Sequence, residues 1–329
     1  MAGISRLVFL LLLLEYTRPH MTQFFPLIQR DLSFTPYSIQ WVPSSARLCA
    51  VGATTRGAGI ISVYRVNGKR LEIANETETP MPLRCCSFGA SDKTTRHVAT
   101  GDFDGRLQLW DTNRLEIPTS SVNAHDTIIN MVDGSMPELA TASRDGCVKV
   151  WDTRQLDKAV FNVRHTEQQD AWSVAFGGST HDNRLIAAGY ENGDLELFDL
   201  AASRYLWKTN IGAGICSIDF NQDKLVLSTL SGLAIVNLTK NGTIEQLQSS
   251  SDTTMWAAHH VPQDPRYFGV VGGDGVFRLW DHDGSRHQPV AALSLSKHPI
   301  IACDWNRDKQ GLVACASFDQ TLRIAQVIF

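Results

Sequence analysis

Seven copies of one hairpin pattern predict an all-β fold, in which seven four-stranded blades close into a β-propeller. The copies follow one another every 38 to 47 residues, which is the length of one blade. The last copy ends at Phe329 after its third strand, so a segment near the N-terminus has to complete it. We therefore expect a single domain over residues 21–329, preceded by an apolar leader over residues 1–20.

The clearest copy of the hairpin lies between Glu138 and Arg154. A strand from Leu139 to Ser143 precedes the turn Arg144-Asp145-Gly146, and a second strand runs from Cys147 to Trp151. An Asp-Gly pair tolerates the positive φ that a tight hairpin turn needs. One hairpin is marginally stable in water, so the prediction depends on its repetition.

The other copies align on the aromatic residue that ends the second strand. The aligned positions are Tyr64, Trp110, Trp151, Phe198, Val236, Trp280 and Ala325. Each copy also has an apolar strand before the hairpin. These strands are predicted at Ile39–Trp41, Cys85–Phe88, Ile128–Val132, Trp172–Phe176, Cys216–Phe220, Trp256–Val261 and Ile301–Trp305.

The segment from Thr22 to Arg30 is the candidate for the missing strand of the last blade. A strand there would cover an open sheet edge and close the ring. Pro26 is compatible with this position because an outermost strand forms hydrogen bonds on one side only.

Composition favours a protein that binds neither nucleic acid nor membranes. The net charge is −4, whereas nucleic-acid binders usually collect a basic face. The seven cysteines are an odd number and lie mostly in apolar strands, a pattern typical of buried, reduced thiols in a cytoplasmic protein. Without a Cys-x-x-Cys pair, we expect no zinc site.

The first 20 residues disturb the cytoplasmic expectation. Arg6 precedes an apolar run from Leu7 to Leu14 that resembles a short secretory signal, yet no small-residue cleavage site follows. A second methionine stands at Met21. We expect residues 1–20 to be dispensable and the working protein to start near Met21.

Three Trp-Asp pairs, at 110–111, 151–152 and 280–281, follow Asp-Gly turns and make the chain resemble the WD-repeat propellers. The ordered blocks WVPSSARLCAVGATTRGAGIISVY, ATGDFDGRLQLWD, TASRDGCVKVWD, AAGYENGDLELFDL and ASFDQTLRI are similar to the Monad family of axonemal dynein assembly factors. This resemblance covers most of residues 39–325.

The resemblance implies a non-catalytic, cytoplasmic interaction scaffold without a cofactor. Its implied partners are dynein subunits and a co-chaperone complex that contains RuvB-like ATPases, and the family also has a link to apoptosis. The propeller is expected to be monomeric. The fifth copy, Leu227 to Asn237, departs from the pattern because it lacks the Trp-Asp ending.

By the same resemblance, His125, Ser143, Asp145 and Trp151 occupy the places of a buried hydrogen-bonded tetrad. We expect Asp145 to orient His125, His125 to contact Ser143, and Ser143 to contact the indole N–H of Trp151. A Ser-His-Asp hydrolase site is the alternative, which we disfavour because the serine lies in mid-strand. The seventh copy keeps a partial set, His298, Ser317 and Asp319.

The turns between the two hairpin strands predict a protein-binding face. Trp172 and Trp256 begin the first strands of their blades, where they either anchor a partner or pack against the next blade. Arginine and aromatic residues on a rigid scaffold are typical of interaction surfaces. The turn residues assigned to this face are Arg56, Asp102, Phe103, Arg144, Tyr190, Asp274 and Phe318.

The sequence Trp151-Asp152-Thr153-Arg154 supports an alternative function. It resembles the WDxR box with which some WD-repeat proteins dock, as substrate receptors, on cullin-based ubiquitin ligases. In that case Arg154 would be the contact to the ligase adaptor, while Trp151 and Asp152 would be structural.

Overall fold

The computed structural model describes residues 22–180, 183–240, 242–247, 253–282 and 288–329. The expected leader, residues 1–20, and Met21 lie outside the described residues. Within the described ranges the chain forms seven antiparallel sheets of four strands each, and helical structure is limited to a short 3-10 turn at Leu238–Lys240.

Each of the first six blades consists of four consecutive strands. Blade 1 contains β2 (Phe34–Trp41), β3 (Arg47–Thr54), β4 (Gly59–Asn67) and β5 (Arg70–Thr79). Blade 2 contains β6 (Leu83–Ser87), β7 (His97–Asp102), β8 (Arg106–Asp111) and β9 (Ser120–Asn123). Blade 3 contains β10 (Ile129–Ser135), β11 (Glu138–Ser143), β12 (Cys147–Asp152) and β13 (Gln155–Arg164). Blade 4 contains β14 (Ala171–Thr180), β15 (Asn183–Tyr190), β16 (Asp194–Asp199) and β17 (Arg204–Asn210). Blade 5 contains β18 (Ile215–Asn221), β19 (Lys224–Thr229), β20 (Gly232–Asn237) and β21 (Thr243–Leu247). Blade 6 contains β22 (Met255–His260), β23 (Tyr267–Gly272), β24 (Val276–Asp281) and β25 (Ala291–Ser294).

Blade 7 takes its outermost strand from the start of the chain. Its strands are β26 (Ile300–Trp305), β27 (Leu312–Ser317), β28 (Thr321–Ile328) and β1 (Gln23–Asp31). β1 pairs with β28 from Gln23↔Ile328 to Asp31↔Thr321, with an irregularity after Pro26. The predicted closure is therefore confirmed, and each of the seven predicted first strands overlaps the innermost strand of its blade.

The hydrophobic core is divided among the blade junctions. The buried apolar residues of the described chain form seven clusters, each shared by two neighbouring blades. The cluster between blades 7 and 1, for example, contains Ile324 of β28 and Ile39 of β2. Each blade thus buries its faces only when both neighbours are present, which explains why a single hairpin pattern needs the complete ring.

A second set of contacts joins the innermost strands around the ring. Each innermost strand contains a β-bulge. In four of them, the polar side chain three residues after the bulged residue accepts a hydrogen bond from a backbone N–H of the next blade. The four bonds are Phe88 N to Gln40 Oε1 (2.8 Å), Phe176 N to Asp133 Oδ2 (2.8 Å), His260 N to Asp219 Oδ2 (2.7 Å) and Trp41 N to Asp304 Oδ2 (2.6 Å).

The propeller has two faces, which we name by their turns. The turn face carries the loops between the second and third strands of each blade, such as Arg144-Asp145-Gly146. The opposite face carries the loops between the third and fourth strands, such as Thr153-Arg154. Glycine is needed in the turn at position 146, where φ is 78°.

Candidate functional site

The polar residues of blade 3 form one buried chain of hydrogen bonds. His125 Nδ1 lies 3.0 Å from Asp145 Oδ2, and His125 Nε2 lies 2.7 Å from Thr141 Oγ1. The indole N–H of Trp151 donates to the same Thr141 oxygen at 3.0 Å. A neutral histidine with its proton on Nδ1 satisfies every member, because Thr141 can then donate to Nε2 and accept from Trp151.

The prediction that Ser143 holds the hydroxyl position of this network is wrong. Its Oγ instead donates to Thr127 O at 3.3 Å and accepts the N–H of Asp145 at 3.2 Å. The register gives the reason: Trp151 pairs with Leu139, so its ring reaches the diagonal neighbour two residues further on, Thr141. Ser143 stands two residues beyond that, about 13 Å along the strand from Leu139.

Electrostatics support a structural role for this network. Burial lowers the pKa of His125, against the raising effect of Asp145. Burial would raise the pKa of Asp145, but the bonds from His125 and from the N–H groups of Cys147 and Asp126 hold it well below its usual range. Ser143 is buried and does not contact the histidine, so these residues lack the geometry of a Ser-His-Asp nucleophile.

In the polar network of blade 7, Ser296 and Arg323 bind the aspartate in place of a histidine. Ser296 Oγ donates to Asp319 Oδ2 at 2.9 Å, and Arg323 Nη2 donates to the same carboxylate oxygen at 2.5 Å. Ser317 also donates to Asp319. His298 contributes only its backbone N–H, which donates to Ser296 Oγ.

Blade 4 contains a charged cluster that the sequence analysis missed. His165 Nε2 lies 2.8 Å from Asp194 Oδ2, Lys208 Nζ lies 2.9 Å from the same oxygen, and Tyr190 donates to Glu196 at 3.1 Å. The N–H of Glu167 donates to His165 Nδ1, so the proton of a neutral imidazole lies on Nε2. His165 starts this blade at the position that His125 holds in blade 3, and that alignment was the available signal.

The centre of the turn face is formed by one bulged residue from each innermost strand. All seven innermost strands shift register at the same place, and the residue skipped there is half-buried. A bulge re-aims the side chain that it releases from the ladder. The seven residues are Tyr37, Arg84, Asn130, Trp172, Cys216, Trp256 and Ile301.

These seven side chains, together with Phe103 and Phe318, line a cavity of about 440 Å³. We call this set of nine residues the channel mouth. Phe103 packs against Tyr37 with ring centroids 5.8 Å apart, and Phe318 is 42% exposed. Trp172 and Trp256 thus contribute to an open cavity at the centre of the turn face, a place where either could contact a partner.

Two residues assigned to the partner-binding face are buried, so those assignments are wrong. Asp102 is 3% exposed and accepts the backbone N–H groups of Asp104 and Arg106. Tyr190 is fully buried and binds Glu196. Both end their second strands, where the side chain points inward, and the next residue in the turn is the one that faces outward.

The other assigned turn residues lie on the turn face with partners of their own. Arg56 pairs with Glu78 at 2.9 Å and Arg144 with Asp170 at 3.3 Å, and both arginine side chains are mostly exposed. Exposed pairs of this kind stabilise the fold little and remain available to a partner. Asp274 is held by Arg278.

Sequence reasoning missed five residues of the mouth, which are Tyr37, Arg84, Asn130, Cys216 and Ile301, and one residue beside it, Leu230. Tyr37 and Arg84 are bulged residues, and Leu230, 40% exposed, follows the second strand of blade 5 as Phe103 and Phe318 do in theirs. Aligning the innermost strands on Trp172 and Trp256 would have found Tyr37 and Arg84. Leu230 was hidden because the fifth copy lacks the Trp-Asp ending.

Arg154 lies on the opposite face, and its side chain is 75% exposed. Its guanidinium binds Asp152, with Nη2 2.6 Å from Oδ2 and Nε 2.9 Å from Oδ1. The same bonds lower the pKa of Asp152 to about 2. An adaptor would therefore meet an arginine that Asp152 already orients.

The described ranges hold no metal cluster, no disulfide and no membrane-spanning helix. No group of three or more His, Cys, Asp or Glu side chains there is arranged to hold a metal ion. The cysteines of this part of the chain are unpaired, and all but Cys216 are buried. None of the described segments forms a helix long and apolar enough to cross a membrane.

Comparison with known proteins agrees with the propeller geometry. The family model described as "WD domain, G-beta repeat" matches residues 116–152 and 288–325. The chain is 37% identical to dynein axonemal assembly factor 10 of Danio rerio and 36% identical to that of Homo sapiens, each alignment covering 90% of this chain and 94% of the relative. The protein of the same name from Chlamydomonas reinhardtii is 33% identical, with 91% of this chain and 95% of the relative covered.

Proposed function

Because the chain belongs to the family of dynein axonemal assembly factor 10, we propose that it is a non-catalytic scaffold in the cytoplasmic pre-assembly of axonemal dynein arms. The observation that carries the proposal is the identity of 33 to 37% with relatives of that name over nine tenths of the chain. Its partners in this proposal are dynein subunits and a co-chaperone complex with RuvB-like ATPases.

The geometry supports a binding role in preference to a catalytic one. Of the blade 3 residues that could suggest a hydrolase, His125 is buried and bound to Asp145 and Thr141, whereas Ser143 is buried and bound to backbone groups instead of the histidine. The turn face instead presents aromatic side chains around an open cavity on a rigid ring. Buried aromatic anchors on a preformed surface are typical of protein-binding sites.

Affinity purification followed by mass spectrometry tests the proposal. Chains starting at Met1 and at Met21 are expressed in ciliated cells, and we expect dynein subunits and RuvB-like ATPases to co-purify with the Met21 chain. The double variant Trp256→Ala, Phe318→Ala should lose these partners, whereas Arg154→Ala on the opposite face should keep them. Recovery of the same partners by the Met21 chain and by both variants would contradict the assignment of the turn face.

A second candidate function, docking on a cullin-based ubiquitin ligase, is favoured by the exposure of Arg154. In that case the purified material contains the ligase adaptor, and Arg154→Ala removes the adaptor but leaves the turn-face partners. Absence of the adaptor from purifications made with proteasome inhibition would eliminate this candidate.

A further inference from the structure

The channel mouth carries a single kind of charge on its bulged residues. Six of the seven, all except Arg84, have uncharged side chains. Arg84 is half-buried, and its guanidinium lies 5.8 Å from the centre of the Tyr37 ring. Among the described residues it makes no ion pair, so this cation stands beside an aromatic ring without a carboxylate bound to it.

The acidic groups on the innermost strands already have partners, and one of them, Asp304, lines the same cavity together with His259. Asp304 accepts the N–H of Trp41, and Asp133 accepts the N–H of Phe176. Asp219 contacts His260 Nδ1 at 2.6 Å in addition to its backbone N–H. None of these carboxylates forms an ion pair with Arg84, although Arg84 and Cys216 line the same cavity.

A second polar group at the mouth also lacks a partner. The indole Nε1 of Trp256 is buried and has no hydrogen-bond acceptor within the described ranges. Leaving a buried donor unpaired costs about 1–3 kcal/mol, which a bound acceptor would recover. The cavity of about 440 Å³ is within the usual range of ligand pockets.

We propose that the channel mouth binds an extended segment of a protein partner in which an aspartate or glutamate stands beside a bulky apolar side chain. The carboxylate pairs with Arg84, the apolar side chain enters between the aromatic rings, and a peptide carbonyl accepts the N–H of Trp256. A charge-assisted bond in a partly dry cavity gives both affinity and selection against basic segments. This inference rests on the proposed scaffold function, and it specifies the chemistry of the partner.

A phage-displayed library of random heptapeptides, selected on immobilised full-length protein, tests the inference. We expect the wild type to enrich peptides with Asp or Glu next to Leu, Phe or Trp at least tenfold. Arg84→Gln should abolish the acidic preference, and Arg84→Glu should turn it into a preference for Lys or Arg. The matched control Arg154→Gln removes an exposed arginine from the opposite face and should select the same peptides as the wild type.

The most enriched peptide then allows a double-mutant cycle by fluorescence anisotropy. Replacing the acidic residue of the peptide with its amide should weaken binding about tenfold, and Arg84→Gln should weaken binding by the same factor. The two changes together should weaken binding no more than either change alone. Trp256→Phe keeps an aromatic ring but removes the N–H, and should weaken binding severalfold. Thermal melts establish whether each variant is folded. If Arg84→Glu is unfolded, the Arg84→Gln variant and the change in the peptide still test the ion pair.

Enrichment of basic or uncharged peptides, no enrichment by the wild type, or an affinity insensitive to Arg84→Gln would each overturn the inference. These outcomes are separate from the purification described above. If dynein subunits co-purify while acidic peptides are not selected, the scaffold function stands and this binding chemistry is wrong. If acidic peptides are selected but no dynein subunit co-purifies, this binding chemistry stands and the proposed scaffold function is wrong.

Discussion

Thr141 and Ser143 show how a difference of two residues decides which hydroxyl joins a buried network. Both are fully buried, and both lie on the strand Glu138–Ser143. Only Thr141 lies beside both the His125 ring and the Trp151 indole, at 2.7 and 3.0 Å. Blade 2 repeats the arrangement, since Trp110 donates to Thr100 at 2.9 Å. The network therefore depends on strand register rather than on the presence of a serine near the turn.

The first prediction separates the two hydroxyls by their effect on stability. Thr141→Val keeps the side-chain shape but leaves His125 Nε2 and the Trp151 N–H without partners. We expect the free energy of unfolding to fall by about 2–4 kcal/mol, since each unsatisfied buried group costs about 1–3 kcal/mol. Urea unfolding followed by tryptophan fluorescence provides the measurement. Ser143→Ala is the control with a smaller expected loss, and a loss equal to that of Thr141→Val would contradict the assignment.

At the scale of the elements, the bulged innermost strand is the unit that produces both the ring and its binding face. The bulge releases one side chain toward the turn face, and the residue three positions later holds the next blade in blades 1, 3, 5 and 7. In blade 7 the group that holds the next blade is a carboxyl group, that of Asp304. Burial raises the pKa of its carboxyl to about 6, although the bond from the Trp41 N–H acts in the opposite direction.

A pH-dependent prediction follows for Asp304. An unfolded aspartate has a pKa of about 3.9, so between about pH 4 and 6 the carboxyl is protonated in the folded state only. Its contribution to stability is therefore greatest at low pH and is lost as the pH rises through about 6. Asp304→Asn can still accept the Trp41 N–H but does not titrate, so it should gain stability relative to the wild type as the pH rises.

Urea unfolding of both proteins at pH 4.5, 6.0 and 7.5 checks this expectation, and only the difference between them is interpreted. His259 lies nearby, and its pKa is raised by Asp219 and, more weakly, by Asp304, against the effect of burial. The matched variant His259→Gln shows whether the histidine carries the effect. A difference that does not change with pH in either background would show that Asp304 is not the responsible group.

At the scale of the whole molecule, the ring is closed by the pairing of the two ends of the chain. β1 forms hydrogen-bonded pairs along the whole of β28 and contributes Ile28 to the cluster between blades 7 and 1. Arg30 also donates to Leu71 O, which joins the closing strand to blade 1. Without β1, β28 would present an open edge, and blade 7 would lose a quarter of its sheet.

Truncation tests this closure. A chain starting at Met21 retains all of β1, so we expect it to melt at the same temperature as the chain starting at Met1. A chain starting at Leu32 lacks β1 and should melt at least 10 °C lower, or associate through the exposed edge of β28. Differential scanning calorimetry and size-exclusion chromatography measure both effects. A cooperative, monomeric Leu32 chain of unchanged stability would show that β1 does not close the ring.

The sequence by itself determined the blade number, the innermost and hairpin strands and the closing strand, because a hairpin pattern repeated at a fixed period leaves a sheet no other way to bury its faces than against its neighbours. It also identified Asp145, His125 and Trp151 as one network. Only the tertiary structure decided that Thr141 completes it, that Tyr190 and Asp102 point inward, and that Tyr37 and Arg84 reach the channel mouth. Those facts depend on strand register and on bulges, which shift a side chain between faces by one residue, so that a single copy of the repeat does not show which face its side chains take.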